Sequence, residues 1–245
     1  MTASISSGTS AASERHRHAT LADQALQHRC ARHQFFSYLQ TCNISTMQAA
    51  ALLRNYDAHA TVLRRLLLKA AAIMPETAVG YVLENVRNEY GNGNARNRHQ
   101  LQLKQLACAA GVTPAQFNRV KIEDGVRAYL HQIVRYYCPL KTALPAQFCR
   151  PAVAAGAITA TEILALEEFR AMQKAFHHLG LAHHIWFDHV NVEAEHLDES
   201  LALAVHFIEN YDAQDAVEFG MHKVLEANCD LYDGLLNALT STQSA

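Results

Sequence analysis

Long segments rich in alanine, leucine, glutamine and glutamate dominate this sequence, and only five prolines and ten glycines interrupt its 245 residues. These residue types favour the α-helix by intrinsic propensity and by hydrophobic spacing. Short β-branched runs bounded by turn residues, which would indicate strands, do not occur in the sequence. The sequence therefore predicts an all-α protein, built as a single bundle of seven or eight helices with short connections.

Turn and capping residues divide the chain into segments of helical length. The predicted helices cover about 21–40, 46–74, 76–90, 96–110, 114–137, 151–179, 183–209 and 212–239. Gly91-Asn92-Gly93 and Gly111 mark two helix ends, and Thr113-Pro114 marks a helix start. Residues 1–18 are small, polar and aperiodic, which predicts a disordered N-terminal arm before a helical domain at 19–241.

The composition limits the classes of partner. Half of the residues are hydrophobic, 18% are charged, and the formal net charge is −2. This balance argues against a surface that neutralises nucleic-acid phosphates. No apolar run reaches the roughly 18 residues that a membrane span needs, and no apolar signal segment opens the chain. We therefore expect a cytoplasmic protein with a small-molecule substrate, without a nucleic-acid or membrane partner, for which a homodimer is one option.

Histidine is the unusual residue in the composition, with fifteen copies. His189, Glu193 and His196 are spaced i, i+4 and i+7, so that on a helix their side chains form one stripe two turns long. Imidazoles and a carboxylate directed at one point are a suitable ligand set for iron, manganese or zinc. The alternative is a polar helix face that holds two histidines by coincidence, and the spacing alone leaves both interpretations open.

A glutamate in a predicted helix core is the second unusual feature. Glu162 lies among the apolar and small residues of 156–166, where a buried carboxylate is costly unless it is paired or binds a cation. The alternative is a surface position near a helix start. Glu167 and Glu168, five and six residues later, fit a solvated surface.

A third segment combines a carboxylate, a turn and a histidine. Glu89 ends one predicted helix, Gly91-Asn92-Gly93 turns the chain, and His99 lies early in the next helix. Taken alone this arrangement is weak evidence for a site. Glutamates and histidines that project inward from several facing helices are nevertheless how helical bundles build di-metal centres.

In their order and spacing these segments resemble the haem-oxygenase-like dinuclear iron oxidases and oxygenases. That family has a glutamate just before a G-x-G turn and a histidine about ten residues later. A mid-chain glutamate then follows a helix glycine by six residues, and a His-x-x-x-(Asp/Glu)-x-x-His helix comes last. The resemblance covers about residues 30–239, and its six positions are Glu89, His99, Glu162, His189, Glu193 and His196. The fifth position is more often aspartate in the family.

The resemblance implies a haem-oxygenase-like bundle in which these six residues bind two iron ions that activate O₂ as a co-substrate. It implies a non-haem di-iron oxidoreductase, an oxidase or oxygenase, that acts on an amino acid or fatty acid derivative in specialised metabolism. Because a fold does not settle a function, two alternatives stay open. One is a metal-free relative on the same fold, such as a thiamine-salvage hydrolase or a quinone-cofactor synthase. The other is a non-catalytic helical binding protein.

Several neighbouring residues are candidates for supporting roles. Three residues lie near the predicted ligands in sequence and could therefore orient them: Asn85, Asp188 and Glu195. Basic residues that could hold a substrate carboxylate are Arg87, Arg170 and Lys174. Aromatic residues that could line a substrate pocket are Tyr90 and Trp186.

Overall fold

The structure is a computed structural model that describes the backbone of residues 6–241, together with all their side chains except those of 6–15, 189 and 191–195. The described residues form ten α-helices, joined by turns and short 3₁₀ segments, and they contain no strand. The helices are α1 Ser6–Gln27, α2 Gln34–Thr41, α3 Thr46–Ala71, α4 Val79–Glu89, α5 His99–Ala109, α6 Pro114–Arg119, α7 Asp124–Tyr137, α8 Arg150–Phe176, α9 His189–Tyr211 and α10 Gln214–Ser241. The all-α prediction is confirmed.

The helix predicted over 21–40 is instead two helices separated by a 3₁₀ turn. Two histidine side chains make this break. The ring of His28 accepts a hydrogen bond from the backbone N–H of Cys30, and the ring of His33 accepts one from the backbone N–H of Phe35. Each histidine therefore acts as an N-cap in extended backbone conformation, which ends one helical segment and starts the next.

The helix predicted over 114–137 is also broken, between α6 and α7. The fully buried amide of Asn55 on α3 holds the connection, because it accepts a hydrogen bond from the backbone N–H of Glu123 and donates one to the carbonyl of Lys121. A side chain that is distant in sequence thus satisfies the backbone groups that a continuous helix would have paired internally. These breaks explain why ten helices replace the predicted seven or eight.

The sequence predicted a disordered arm over residues 1–18, and this stays a prediction. The backbone is helical from Ser6, in a segment 6–27 that contains one glycine and no proline, and residues 1–5 lie outside the described part. The far end of α1 is attached to the bundle by Leu21 and Ala25, which are both buried.

Helix α8 lies at the centre of the bundle and packs against α2, α7, α9 and α10. Its first half, residues 152–164, is buried on all sides, as expected of a helix that is apolar all round. Glycines bring α8 and α10 together: a Cβ atom at Gly156 would collide with the carbonyl oxygen of Val217, and one at Gly220 with that of Val153. Within the described residues, no helix combines the length and apolarity required to cross a membrane.

Candidate metal centre

The turn between α4 and α5 brings the first predicted pair of side chains together. Gly91, Asn92 and Gly93 all have left-handed backbone, with φ angles of 86°, 52° and 83°. A Cβ atom at Gly91 would collide with the backbone of residues 94–98. This tight reversal places His99, the first residue of α5, beside Glu89, the last residue of α4, with 2.9 Å between Nδ1 and Oε1.

Glu162 lies inside the bundle, and not at the surface position that the sequence left open. Only 5% of the residue is exposed, and its Oε1 accepts a hydrogen bond of 2.7 Å from the Asn85 amide on α4. On the other side, Oε2 is 4.0 Å from Nδ1 of His196 on α9, which is itself buried. The expected proximity of Asn85 to the predicted ligands is confirmed, and it orients a carboxylate.

Four of the six predicted side chains therefore converge from four different helices. Glu89, His99 and Glu162 line one cavity of about 40 Å³, and His196 faces Glu162 at its edge. The backbone of the remaining two positions, 189 and 193, lies on α9 about two turns and one turn before His196, and their side chains lie outside the described part. The positions of those two side chains remain predictions.

Aromatic side chains form part of the lining of the cavity. Trp186 is 2% exposed, and its ring lies 5.1 Å from Phe169, 6.2 Å from Tyr56 and 6.5 Å from the His99 imidazole, measured between centroids. The sequence-based expectation that Trp186 lines the pocket is confirmed. Tyr90, by contrast, is 40% exposed and does not contribute to the described lining.

Arg64 on α3 is a buried cation at this cavity that the sequence pattern did not indicate. Its side chain is 7% exposed, donates to the Thr61 hydroxyl at 3.2 Å, and has its Nη1 3.9 Å from Oε2 of Glu89. The basic residues suggested by the sequence lie elsewhere. Arg87 and Arg170 are exposed and form surface ion pairs with glutamates one turn earlier on their helices, and Lys174 lies in a separate surface groove.

A second buried carboxyl lines the same cavity. Glu168 is 4% exposed, which corrects the expectation that it is solvated, whereas the side chain of its neighbour Glu167 is 42% exposed. Hydroxyl groups of Tyr56 and Tyr232 donate to its two oxygens at 2.9 Å and 2.7 Å. Burial raises the pKa of Glu168 to about 7, although both tyrosine hydrogen bonds act in the opposite direction. The sequence presents Glu167 and Glu168 as one pair of adjacent glutamates, and no local feature separates the exposed one from the buried one.

His59 on α3 is a third buried titratable group in the cavity lining. It is 3% exposed, and no described residue forms a hydrogen bond with its Nδ1. Burial lowers the pKa of His59 to about 4, with the nearby Glu89 acting weakly in the opposite direction. The imidazole is therefore neutral at physiological pH.

A different grouping of His28, His222 and Glu226 also places ligand-type atoms within 4.8 Å of one another. Its chemistry is less suited to a metal ion. The Nδ1 atom of His28 accepts from the backbone N–H of Cys30, so its Nε2 carries the proton that is shared with Glu226. The guanidinium of Arg29 pairs with the other oxygen of the same carboxylate at 2.9 Å. This surface grouping is a satisfied ion-pair network.

Comparison with solved structures shows the fold. A CADD-like protein of unknown function from Nostoc punctiforme superposes with a TM-score of 0.71 at 15% identity, covering 93% of this chain and 99% of that one. A domain of unknown function with a haem-oxygenase-like fold from Shewanella denitrificans gives a TM-score of 0.68 at 12% identity, covering 98% and 97%. The bundle thus has the haem-oxygenase-like fold that the resemblance implied.

Comparison of sequences shows the family. No curated protein matches the chain at a significant level. A family model described as an iron-containing redox enzyme matches residues 50–228, which include all six predicted ligand positions. Because this match covers well over half of its length, the chain belongs to the family of iron-containing redox enzymes.

Proposed function

We propose that the protein is an O₂-activating non-haem di-iron oxidase or oxygenase that acts on a small carboxylate-bearing substrate, an amino acid or fatty acid derivative. The observation that carries the proposal is the convergence of carboxylates and imidazoles from four helices on one buried cavity. The ligands would be Glu89, His99, Glu162, His189, Glu193 and His196.

The chemistry of the described donors fits iron. Carboxylate oxygens and imidazole nitrogens are the ligands of non-haem iron sites in helical bundles. Two donor atoms that bind one ion at about 2.1 Å lie roughly 3 to 4 Å apart. The separations of 2.9 Å between His99 and Glu89 and of 4.0 Å between His196 and Glu162 are in this range. Buried carboxylates are also costly unless they are paired or bind a cation.

The surrounding residues would prepare the site for this chemistry. When bound, a pair of Fe(II) ions supplies electrons for the reduction of O₂. The amide of Asn85 fixes the orientation of the Glu162 carboxylate. Trp186 and Phe169 exclude water from the cavity, which protects reactive species from side reactions.

Arg64 supports the choice of an acidic substrate. A buried guanidinium needs anionic or strongly accepting partners, and it has a planar geometry suited to a carboxylate. Glu89 lies 3.9 Å from the Arg64 guanidinium and, in the proposed centre, would be a ligand of iron. A substrate carboxylate would then become the natural partner of Arg64, within the lining of the same cavity.

The metal-free hydrolase alternative has less support. Hydrolases on this fold depend on a nucleophilic cysteine, as the resemblance implies. Among the described residues that line the cavity, none is a cysteine. The fully buried Cys30 lies elsewhere, and burial raises its pKa to about 12, which keeps it a thiol at neutral pH.

Iron binding tests the proposal directly. We expect the wild-type chain, reconstituted anaerobically with Fe(II), to hold about two ions per chain and to develop a transient visible absorbance after mixing with O₂. The buried Trp186 is the only tryptophan of the chain, so iron should also quench its fluorescence. Glu162→Ala and His196→Ala, and likewise His189→Ala and Glu193→Ala, should lose iron, quenching and absorbance.

The surface histidine grouping offers a matched control. His222→Ala also removes an imidazole beside a carboxylate, but one outside the described lining of the cavity. We expect this variant to keep the iron content of the wild type. Full iron retention in Glu162→Ala and His196→Ala, or equal loss in His222→Ala, would contradict the assignment of the centre.

A further inference from the structure

The carboxyl group of Glu168 is placed to serve the cavity without being one of the predicted iron ligands. It lies on α8 six residues after Glu162 and lines the same cavity. Its two oxygens are each held by a phenol, from Tyr56 on α3 and from Tyr232 on α10. A fully buried carboxyl that joins three helices and reaches the reaction cavity needs an explanation beyond packing, because an apolar side chain would fill the space at lower cost.

Among the described residues, none forms a salt bridge with Glu168. The Arg64 guanidinium lines the same cavity but is placed beside Glu89. Apart from Arg64 and the predicted ligands, the titratable groups on the elements around Glu168 are neutral. These groups are Tyr56 and His59 on α3, Tyr129 and Tyr137 on α7, Tyr232 on α10 and the thiol of Cys30, with the Glu162 carboxylate on α8 itself. Burial brings the pKa of Glu168 to about 7. The group can therefore both hold and release a proton near neutral pH.

We propose that Glu168 and Tyr56 form a proton relay that delivers protons to oxygen reduced in the cavity, an inference that rests on the proposed function. With Glu168 protonated, its O–H donates to the phenolic oxygen of Tyr56, the reverse of the direction that holds when the carboxyl is ionised. The Glu168 O–H bond breaks and its proton passes to that phenolic oxygen. Tyr56 at the same time gives its own hydroxyl proton to an O₂-derived oxygen atom, so that Tyr56 stays neutral and Glu168 becomes a carboxylate. Each passage supplies one of the four protons that full reduction of O₂ to two waters takes, and water reprotonates Glu168 between passages. The four electrons come from Fe(II) and the substrate.

The two tyrosines differ in the way that the relay requires. Tyr56 lies in the cavity lining, with its ring edge-on to those of His59 and Trp186 at centroid distances of 5.3 and 6.2 Å. Tyr232 is absent from the described lining and packs instead against Phe35 and Phe36, at 5.5 and 4.8 Å. Both hydroxyls form a hydrogen bond with Glu168, but only Tyr56 lies beside that carboxyl in the described lining of the cavity. They form a matched pair for mutagenesis.

The protonation of Glu168 can be measured without iron or substrate. Infrared difference spectra of the metal-free protein should show a carboxylic acid C=O band that disappears as the pH is raised through about 7. The band should be absent from Glu168→Gln and unchanged in Glu167→Gln, which alters the neighbouring exposed carboxylate. If the wild type shows no such band at pH 6, Glu168 holds no proton to deliver, and the relay is wrong.

The relay itself is tested by single-turnover reactions of the Fe(II)-loaded protein with O₂, followed through the decay of the visible absorbance. Glu168→Gln and Tyr56→Phe should slow this decay by a factor of about 10² or more, typical of a lost general acid, and Glu168→Gln should lose the pH dependence near 7. Tyr232→Phe should stay within a few-fold of the wild type. Equal slowing by both tyrosine variants would indicate that Glu168 has only a structural role, and it would contradict the relay.

The outcomes separate the relay from the function on which it rests. A wild-type chain that binds no iron contradicts the proposed function and the relay with it. A wild-type chain that binds iron and reacts with O₂, while Glu168→Gln reacts with the same rate and pH profile, contradicts the relay alone. Iron content, measured in each variant, ensures that a slow reaction is not caused by lost metal.

Discussion

Single buried charges decide which substrates this cavity can accept. If two Fe(II) ions are held by the carboxylates of Glu89, Glu162 and Glu193, four positive charges face three negative ones, and the buried guanidinium of Arg64 adds a further positive charge. A net positive cavity inside an apolar bundle attracts anions strongly, because the low local dielectric screens little. In the proposed function, the preference for a carboxylate would therefore arise from the charges at the site and not only from the shape of its walls.

We expect Arg64→Ala to weaken the binding of carboxylates to the Fe(II)-loaded protein under anaerobic conditions. A lost hydrogen bond to a charged group costs about 1.5–3 kcal/mol, or roughly 10- to 100-fold in affinity. Decanoate and leucine serve as probes, and Trp186 fluorescence reports their binding. Arg87→Ala is the control, because Arg87 pairs with Glu84 on the exposed face of α4. Unchanged affinity in Arg64→Ala would remove the argument for an acidic substrate.

At the scale of helices, glycines set the distance between α8 and α10 and thereby the position of Glu162. The two carbonyl contacts are reciprocal: Gly156 of α8 faces Val217, and Gly220 of α10 faces Val153. Backbones at this separation leave no room for a Cβ atom. The helix that carries Glu162 is thus held in place by the close approach of two backbones.

Gly220→Ala should therefore destabilise the fold. Insertion of a methyl group into a well-packed core costs about 1–3 kcal/mol or more, because the neighbouring backbone must move. Gly80→Ala on α4 is the matched control. A Cβ atom there meets no atom within 4 Å, so this variant should be neutral or more stable by up to about 1 kcal/mol. Denaturant unfolding measures both free energies, and equal stability of the two variants would contradict this account of the packing.

The sequence could predict those parts of the site that depend on local structure. The Gly-Asn-Gly turn and the stripe on α9 depend on residues within a few positions of one another, so local spacing together with the family resemblance indicated Glu89, His99 and His196. Glu168 could not be identified, because it directly follows the exposed Glu167 and the two glutamates look alike in the sequence. The helix breaks likewise depend on side chains such as Asn55, whose partners lie 66 and 68 residues away.

For the whole molecule, two buried groups give opposite contributions to the pH dependence of stability. The pKa of Glu168 is raised from 4.5 to about 7 by burial, so the stability that its protonated form gives is present below pH 4.5 and is lost as the pH rises through 7. The pKa of His59 is lowered from 6.5 to about 4, so its contribution is present above pH 6.5 and is lost as the pH falls through 4. Between pH 4 and 7 the two effects oppose each other.

Each shift of about 2.5 pKa units corresponds to roughly 3 kcal/mol, so these two groups should nearly cancel in the metal-free wild type. Removal of one group leaves the contribution of the other group to the pH dependence of stability unopposed. The free energy of unfolding of Glu168→Gln, relative to the wild type, should rise by about 3 kcal/mol from pH 4 to pH 7, and that of His59→Gln should fall by a similar amount. Because only the change with pH is compared, a constant cost of either substitution does not affect the result. Urea titrations of the three proteins at pH 4, 5.5 and 7 measure these slopes. Parallel curves for all three would show that neither side chain keeps its buried, neutral state in the folded protein.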